Sequence, residues 1–201
     1  MKRKTAAGRR APEFRALPLT PERWRDFTKL FGKRGACGGC WCMWHRLTRA
    51  EFEKRKGEGN RRAMKRLVDA GPPPGLLGYL AEEPVAWCAV GERESFPSLD
   101  RSRLFQPVDD QRVWSIVCLF VAKGHRQKGI STRMIREAAK YARSRGARIL
   151  EAYAVEPKKR QIPAVFAYPG LASAYRRAGF REVARRSATR PILRKRLRPP
   201  R

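Results

Sequence analysis

The sequence predicts an α/β chain whose mixed, mostly antiparallel central sheet is covered by helices on both faces. Short apolar runs at 76–80, 85–90 and 113–121 have the length and composition of strands. Apolar residues recur with helical spacing over 130–142, directly after the third run. A further apolar run at 148–155 completes a strand–helix–strand unit, which requires one parallel pair in the sheet.

The N-terminal part is predicted to hold one strand at 14–19 followed by helices. Each helix carries a start signal suited to the unpaired N–H groups of a first helical turn. The signals are a Thr20-Pro21 cap, a capping-box pattern at Thr48 and Glu51, and a candidate cap at Asn60. Glycines at positions 32 and 71 are predicted to end the first helix and the last one.

The C-terminal part is predicted to complete the sheet. The turn at 82–84 joins the first two apolar runs into a hairpin, and 91–111 is predicted to be a long polar loop. A proline-bearing loop and a short helix that carries Tyr175 follow the strand–helix–strand unit. The runs at 180–184 and 191–193 are candidate final strands.

The length of 201 residues suits one domain, which we place at 12–197 between basic tails at 1–11 and 198–201. Within it, 32–59 is a Cys- and Trp-rich insertion. No apolar run approaches the ~20 residues that span a bilayer, so no membrane association is expected. The basic N-terminus lacks the apolar stretch of a secretory signal, and the five cysteines therefore suggest reduced thiols in a cytoplasmic protein.

The net charge of +29 is unevenly distributed. Residues 67–111 carry eight acids against three bases, which makes this segment −5 and the remainder +34. Both ends are purely basic, and such ends are typical of proteins that contact polyanions or rely on charge for solubility. The basic ends hold no aromatic residue, so a base-stacking platform is not indicated there.

A basic, glycine-bearing turn lies between the strand at 113–121 and the helix that follows it. Arg126 and Lys128 supply charge, Gly129 permits a close backbone approach, and Ser131 and Thr132 are suitable N-cap residues. A helix N-terminus has unpaired N–H groups and the positive end of the dipole, so this turn can hold phosphate. An ordinary solvated turn is the alternative. The nucleotide P-loop and the dinucleotide fingerprint are both excluded by the residue pattern.

The run Arg126-Gln127-Lys128-Gly129-Ile130-Ser131 resembles the pyrophosphate motif of the GNAT N-acetyltransferase superfamily, Gln/Arg-x-x-Gly-x-Gly/Ala. Val121 stands five residues before the arginine, as it does in that family. The segment 171–180 resembles a second signature, a helix that ends in Tyr-x-x-x-Gly-Phe. The resemblance covers about residues 75–185. Two departures are Ser131, where Gly or Ala is usual, and Pro169-Gly170, where many members carry an Asn.

The resemblance implies an acyl-CoA N-acyltransferase-like fold, in which two central parallel strands splay and the cofactor enters between them. It implies acetyl-CoA as the donor and an amine of a small molecule or protein as the acceptor, which attacks directly in a ternary complex. Tyr175 occupies the family's proton-donor position. The implied cofactor-binding residues are Leu119, Phe120, Val121, Arg126, Gln127, Lys128, Gly129, Ile130 and Ser131.

The general base is left open by the sequence. Some members carry a Glu eleven residues before the motif arginine, and Ser115 stands at that position here. The remaining candidates are a water molecule, an amine that arrives neutral, the imidazole of His125, and the nearby carboxylates of Asp109, Asp110, Glu151 and Glu156.

Three thiols and an imidazole lie within nine residues, at Cys37, Cys40, Cys42 and His45. The spacing is too crowded for four tetrahedral zinc ligands, and a redox pair lacks its usual setting, so we expect no metal. We favour a packing interpretation, in which Trp41 and Trp44 form a wall of the acceptor pocket and Ser115 lines it. The alternative function is a nucleic-acid- or ribosome-associated binding protein that uses the basic ends and lacks catalysis.

Overall fold

The computed structural model describes residues 13–158 and 163–198, so the predicted tail at 1–11 and most of the tail at 198–201 lie outside the described residues. A seven-stranded sheet in the order β1-β2-β3-β4-β5-β7-β6 forms its centre. The strands are β1 Phe14–Pro18, β2 Gly75–Leu80, β3 Glu83–Glu92, β4 Trp114–Val121, β5 Ile149–Tyr153, β6 Arg181–Arg185 and β7 Pro191–Arg196. The helices are α1 Trp24–Phe31, α2 Arg49–Lys54, α3 Glu58–Ala70, α4 Ile130–Ser144 and α5 Ala172–Arg177.

The sheet is mixed and mostly antiparallel, as predicted. Strands β1 to β4 form antiparallel neighbours, and β7 pairs antiparallel with both β5 and β6. The pair β4–β5 is parallel because helix α4 carries the chain back across the sheet between them. Helices α4 and α5 pack on one face of the sheet, and α1 and α3 pack on the other.

The parallel pair β4–β5 is short. Only Trp114, Ser115 and Ile116 of β4 have partners in β5, and the two strands separate beyond Ile116. Against β3, the strand β4 has an irregular register in which Val117 has no direct partner. Such an extra residue bends its strand, and here it lies where the pairing with β5 ends. The resulting splay between β4 and β5 is the opening that the resemblance implies.

Several local predictions are confirmed. Thr48 caps α2 with the predicted capping box, since the Thr48 hydroxyl accepts from the Glu51 N–H at 3.2 Å and the Glu51 carboxylate accepts from the Thr48 N–H at 3.0 Å. Pro21 begins a short 3₁₀ turn that leads into α1, and the helix ends before Gly32. None of the helices in the described ranges has the length and apolar character needed to span a bilayer.

Three local predictions were wrong. Asn60 does not cap α3, because the helix begins earlier and the buried Asn60 amide donates to the carbonyls of Gly39 and Phe52. Ser131 and Thr132 lie inside α4 and do not cap it, since Gly129 takes the N-cap position. The loop at 91–111 is not simply polar, because Phe96 and Leu99 within it are fully buried. For Asn60 and for the loop, a tertiary contact outweighed the local pattern, whereas α4 begins directly after a glycine in the left-handed conformation.

A buried ionic cluster connects β4, β5, β7 and the loop that follows β3. The Glu151 carboxylate accepts from Arg194 Nε at 2.6 Å and from the Tyr153 hydroxyl at 2.6 Å. Arg93 Nη1 donates to the same hydroxyl at 2.5 Å, and Ser115 Oγ lies 3.2 Å from it. Burial and the neighbouring Glu151 charge raise the pKa of Tyr153. The cluster fixes the paired ends of the two strands that later splay.

Replacing Glu151 with Ala should lower the free energy of unfolding by about 3–5 kcal/mol, because two buried guanidinium groups lose their shared carboxylate. Asp100→Ala is the matched control, since Asp100 contacts the same Arg93 at 2.7 Å from a largely exposed position. That control should cost about 0–1 kcal/mol. Denaturant unfolding of both variants measures the difference, and equal losses would contradict the role assigned to the buried cluster.

Candidate active site

The chain itself fills the splay between β4 and β5. The Leu119 N–H donates to the carbonyl of Tyr168 at 2.6 Å, at a point where β4 has already separated from β5. The Val155 N–H donates to the Gly170 carbonyl at 2.9 Å on the opposite side. The segment 168–170, which lies just before α5, therefore runs through the opening and contacts both of its walls.

Tyr175 lies beneath this segment on α5. Its side chain is fully buried, its ring packs edge-on against Phe180 at 5.3 Å, and its hydroxyl donates to the Pro169 carbonyl at 2.7 Å. Burial raises the pKa of Tyr175 well above its ordinary value, so the phenol keeps its proton throughout the neutral range. The structure thus brings Tyr175 to the splay, where its proton is held by a backbone carbonyl.

The predicted pyrophosphate turn lies at the end of β4. Arg126 Nε donates to the Val121 carbonyl at 3.0 Å, and Lys128 Nζ donates to the Gly124 carbonyl at 2.9 Å. Gly129 has a φ of +75°, and a Cβ placed there would meet no atom within 4 Å. The space beside Gly129, at the N-cap of α4, is therefore open, and the cations of Arg126 and Lys128 belong to the same exposed turn. This geometry suits an anion at the N-terminus of a fifteen-residue helix.

A buried histidine lies on the other side of the segment 168–170. The His45 side chain is 6% exposed, its Nδ1 lies 2.7 Å from Ser98 Oγ, and its Nε2 lies 3.4 Å from the Tyr168 hydroxyl. Burial, together with the Arg46 cation, lowers the pKa of His45 to about 4. The imidazole is therefore neutral at neutral pH and able to accept a hydrogen bond.

The cysteine turn, residues 37–45, lies on the same side of the segment 168–170 as His45. Trp87 Nε1 donates to Cys42 Sγ at 3.1 Å, and the Cys118 thiol of β4 is directed at the same sulfur. These two donors, with Arg46, lower the pKa of the Cys42 thiol, whereas burial raises that of Cys40.

Across the described ranges, no group of three or more His, Cys, Asp or Glu side chains is arranged to hold a metal ion. The absence of a metal stays a prediction.

The predicted acceptor-side residues do not converge on one open pocket. Trp41 is buried and stacks on Phe31 with 5.8 Å between ring centres. Trp44 is 41% exposed and packs edge-on against Phe52. Ser115 is fully buried within the ionic cluster described above. Of the two tryptophans, Trp44 is the one whose indole contacts the Tyr168 phenol.

Three of the carboxylates considered as general bases are held in ion pairs. The Arg194 guanidinium lowers the pKa of Asp109 to about 2, and Arg194 also binds Glu151. Glu156 contacts Arg176 and Arg185, which lower its pKa to about 2. Carboxylates with such low pKa values accept protons poorly at neutral pH, so Asp109 and Glu156 are unsuited to deprotonate an amine, and the Glu151 carboxylate is already engaged by Arg194.

Sequence reasoning missed two residues of this region, Tyr168 and Ser98. Tyr168 immediately precedes Pro169-Gly170, where the sequence departs from the family pattern. That departure was the signal from which an unusual role for this segment could have been predicted. Ser98 lies within a loop that was predicted to be polar, and nothing in its surroundings along the chain indicates a partner for His45.

The stability of the protein should fall as the pH is lowered from about 6.5 towards 4. Over this range the unfolded chain protonates His45 and the folded chain does not, so acid favours unfolding. The loss from this group should reach at most about 3 kcal/mol, and it should vanish above pH 6.5. Urea unfolding of the wild type and of His45→Asn across this range isolates the effect, and parallel pH profiles would exclude it.

Comparisons with known proteins agree with this fold. The chain matches the acetyltransferase (GNAT) family over residues 41–167, and no curated protein sequence matches it. An acetyltransferase of this family from Listeria monocytogenes 4b F2365 is 13% identical, with 92% of this chain and 95% of that one covered and a TM-score of 0.56. Another from Streptococcus agalactiae 2603 is 11% identical, with coverage of 91% and 95% and a TM-score of 0.54.

A third solved structure is the PaiA N-acetyltransferase of Thermoplasma acidophilum in complex with coenzyme A. It is 12% identical to this chain, with 92% of this chain and 99% of that one covered and a TM-score of 0.51. At identities this low, the structural similarity shows a shared fold alone, whereas the family match covers more than half of the chain. The chain therefore belongs to the GNAT acetyltransferase family.

Proposed function

We propose that this protein is an acetyl-CoA-dependent N-acetyltransferase that acts on an amine of a small molecule or protein. The observation that carries the proposal is the continuity of two features: the splay between β4 and β5 leads directly to the basic N-terminus of α4. The complex of the Thermoplasma acidophilum enzyme with coenzyme A supports the same choice of donor.

The order of groups along this continuous surface matches the order of groups in acetyl-CoA. The pantetheine arm would lie along Leu119, Phe120 and Val121, whose backbone N–H and C=O groups suit its amides. The pyrophosphate would lie before α4, near Arg126 and Lys128, where the space beyond Gly129 is open. The basic turn then supplies charge, and the strand supplies directional hydrogen bonds.

Acetyl transfer by direct attack requires a polarised thioester carbonyl. The Leu119 N–H is the group best suited to this task, because it already holds a carbonyl oxygen, that of Tyr168, at 2.6 Å. The neutral amine attacks the thioester carbon, a C–N bond forms, and the C–S bond breaks. The departing thiolate takes a proton, and the Tyr175 phenol, which stays protonated at neutral pH, is the proposed donor.

The acceptor would approach from the side of the sheet that holds His45, Trp44 and the cysteine turn. His45 is neutral there, so it can accept a hydrogen bond from an incoming amine without repelling a cation. Its low basicity makes it a poor general base, so the acceptor is proposed to arrive as the neutral amine, and a water molecule takes the proton that its nitrogen loses as the C–N bond forms. The ion-paired carboxylates are set aside for the reason given above.

The second candidate function is nucleic-acid or ribosome binding without catalysis, which the net charge of +29 favours. The two proposals are separated by two measurements on the purified chain. Acetyl transfer to a panel of amines, followed through the release of free CoA thiol, supports the enzyme. RNA binding that weakens steeply with salt, together with no transfer, supports the alternative.

Replacing Arg126 with Ala should weaken acetyl-CoA binding by about 1.5–3 kcal/mol, the scale of a hydrogen bond to a charged group. Gly129→Val should weaken it further, because a side chain would occupy the open space before α4. Gly146→Val is the matched control, since Gly146 follows the opposite end of the same helix with a φ of +88° and equally open surroundings. Calorimetry that finds unchanged affinity in both test variants would remove the pyrophosphate assignment.

Tyr175→Phe should lower the rate of acetyl transfer by about 10²-fold or more, within the usual range for loss of a general acid. The ring and its packing against Phe180 are retained, so the fold should persist. The measurement is single-turnover kinetics at saturating acetyl-CoA, with Tyr141→Phe on α4 as the matched control. Full turnover in the Tyr175→Phe variant would leave Tyr175 as a packing residue.

A further inference from the structure

The cleft in which the proposed function places the pantetheine arm is occupied by the chain. Three backbone carbonyls in succession face the groups around the splay. Tyr168 accepts from the Leu119 N–H at 2.6 Å, Pro169 accepts from the Tyr175 hydroxyl at 2.7 Å, and Gly170 accepts from the Val155 N–H at 2.9 Å. The segment Tyr168–Gly170 thus forms hydrogen bonds with β4, with α5 and with Val155, two residues beyond the end of β5.

The segment fits the cleft without spare room. Pro169 and Gly170 are buried. A Cβ placed on Gly170 would lie 2.6 Å from Leu119 Cδ1 and 2.8 Å from Tyr175 Cε2, both well inside contact distance. A pantetheine arm therefore cannot lie along Leu119 while the segment keeps this position.

We propose that Tyr168–Gly170 is a displaceable strap, which closes the cleft in the free protein and is replaced by the pantetheine arm of acetyl-CoA. The inference rests on the proposed function and adds a closed state to it. Displacement releases two groups at once: the Leu119 N–H becomes free to hold the thioester carbonyl, and the Tyr175 phenol becomes free to face the thioester sulfur.

The same strap also contacts the acceptor side. The Tyr168 phenol lies 3.4 Å from His45 Nε2, so the residue whose carbonyl closes the donor cleft also covers the imidazole. Displacement of the strap therefore uncovers His45 together with Leu119. In the proposed closed state, the strap therefore covers both the donor cleft at Leu119 and the acceptor side at His45 until acetyl-CoA binds.

The chain before the strap is suited to movement. Val165 and Phe166 are 48% and 56% exposed, so little apolar surface holds this end of the strap in place. Segments with few buried apolar contacts open at low free-energy cost. The strap is thus held by the three hydrogen bonds in the cleft and by the contact of Tyr168 with His45. Acetyl-CoA can supply new partners for the Leu119 N–H and the Tyr175 hydroxyl, and it leaves the Val155 N–H to solvent.

A closed strap reduces the apparent affinity for acetyl-CoA by the fraction of molecules that are open. Gly170→Ala destabilises the closed strap through the clash described above, and it should therefore tighten acetyl-CoA binding by about tenfold. Binding of 3′-phosphoadenosine 5′-diphosphate, which is CoA without its pantetheine arm, should stay unchanged because this ligand does not reach the strap. Gly146→Ala has a similar backbone φ of +88° and no neighbouring atom, so it should change neither affinity.

Calorimetry with both ligands on the wild type and the two variants separates the possible failures. If acetyl-CoA binds the wild type and binds Gly170→Ala no more tightly, the strap is excluded and the proposed function stands. If neither ligand binds any of the three proteins, the proposed function fails, and the strap fails with it.

A second measurement needs no variant and covers the case in which Gly170→Ala does not fold. Hydrogen–deuterium exchange of the wild type should show faster exchange at the Val155 N–H when acetyl-CoA binds, because this group loses the Gly170 carbonyl when the strap leaves the cleft. The ligand without the pantetheine arm should leave exchange at Val155 unchanged. Slower exchange there with acetyl-CoA would show that the strap remains in the cleft, and would overturn the proposal.

Discussion

The early end of the parallel pairing between β4 and β5 is the constraint on which the rest of this structure depends. The pairing stops after Ile116, where β4 carries an irregular residue against β3, and every later residue of β4 turns away from β5. Backbone groups such as the Leu119 N–H are thereby left without a strand partner in the interior of the sheet. Buried N–H groups need acceptors, so something must enter the gap. In the free protein the Tyr168 carbonyl supplies the acceptor.

Electrostatics distinguishes the two sides of this gap. The chain has 47 basic and 18 acidic residues, and the carboxylates near the site are mostly held by arginines. The buried cluster around Glu151 fixes the paired end of the strands, while the solvated cations Arg126 and Lys128 lie at the open end. A polyanionic donor, as in the proposed function, would therefore be attracted to the end of the cleft where α4 begins. Neutral groups, His45 and the tyrosines, remain where the chemistry would occur.

The proposed strap explains in physical terms why this chain departs from the family pattern at Pro169-Gly170. A glycine at this position lets the backbone pass between Leu119 and Tyr175, where any side chain would clash. The hydroxyl of Tyr175, carried by the second family signature, then has two possible partners: a backbone carbonyl in the closed state and the thioester sulfur in the proposed open state. One phenol can thus serve closure and catalysis in turn.

The sequence by itself determined the order of the elements, the mixed sheet and the family of the chain. These depend on local signals, such as the capping box at Thr48, the helical spacing after Ile130 and the glycine turn at 126–131, which act between residues close in the chain. The tertiary structure alone decided which groups meet across the splay. The contacts of Leu119 with Tyr168 and of His45 with Ser98 join residues about fifty positions apart, and no periodicity encodes them. Asn60 is a further example, because its side-chain amide donates to the carbonyl of Gly39 in a distant turn and does not cap the helix that carries it.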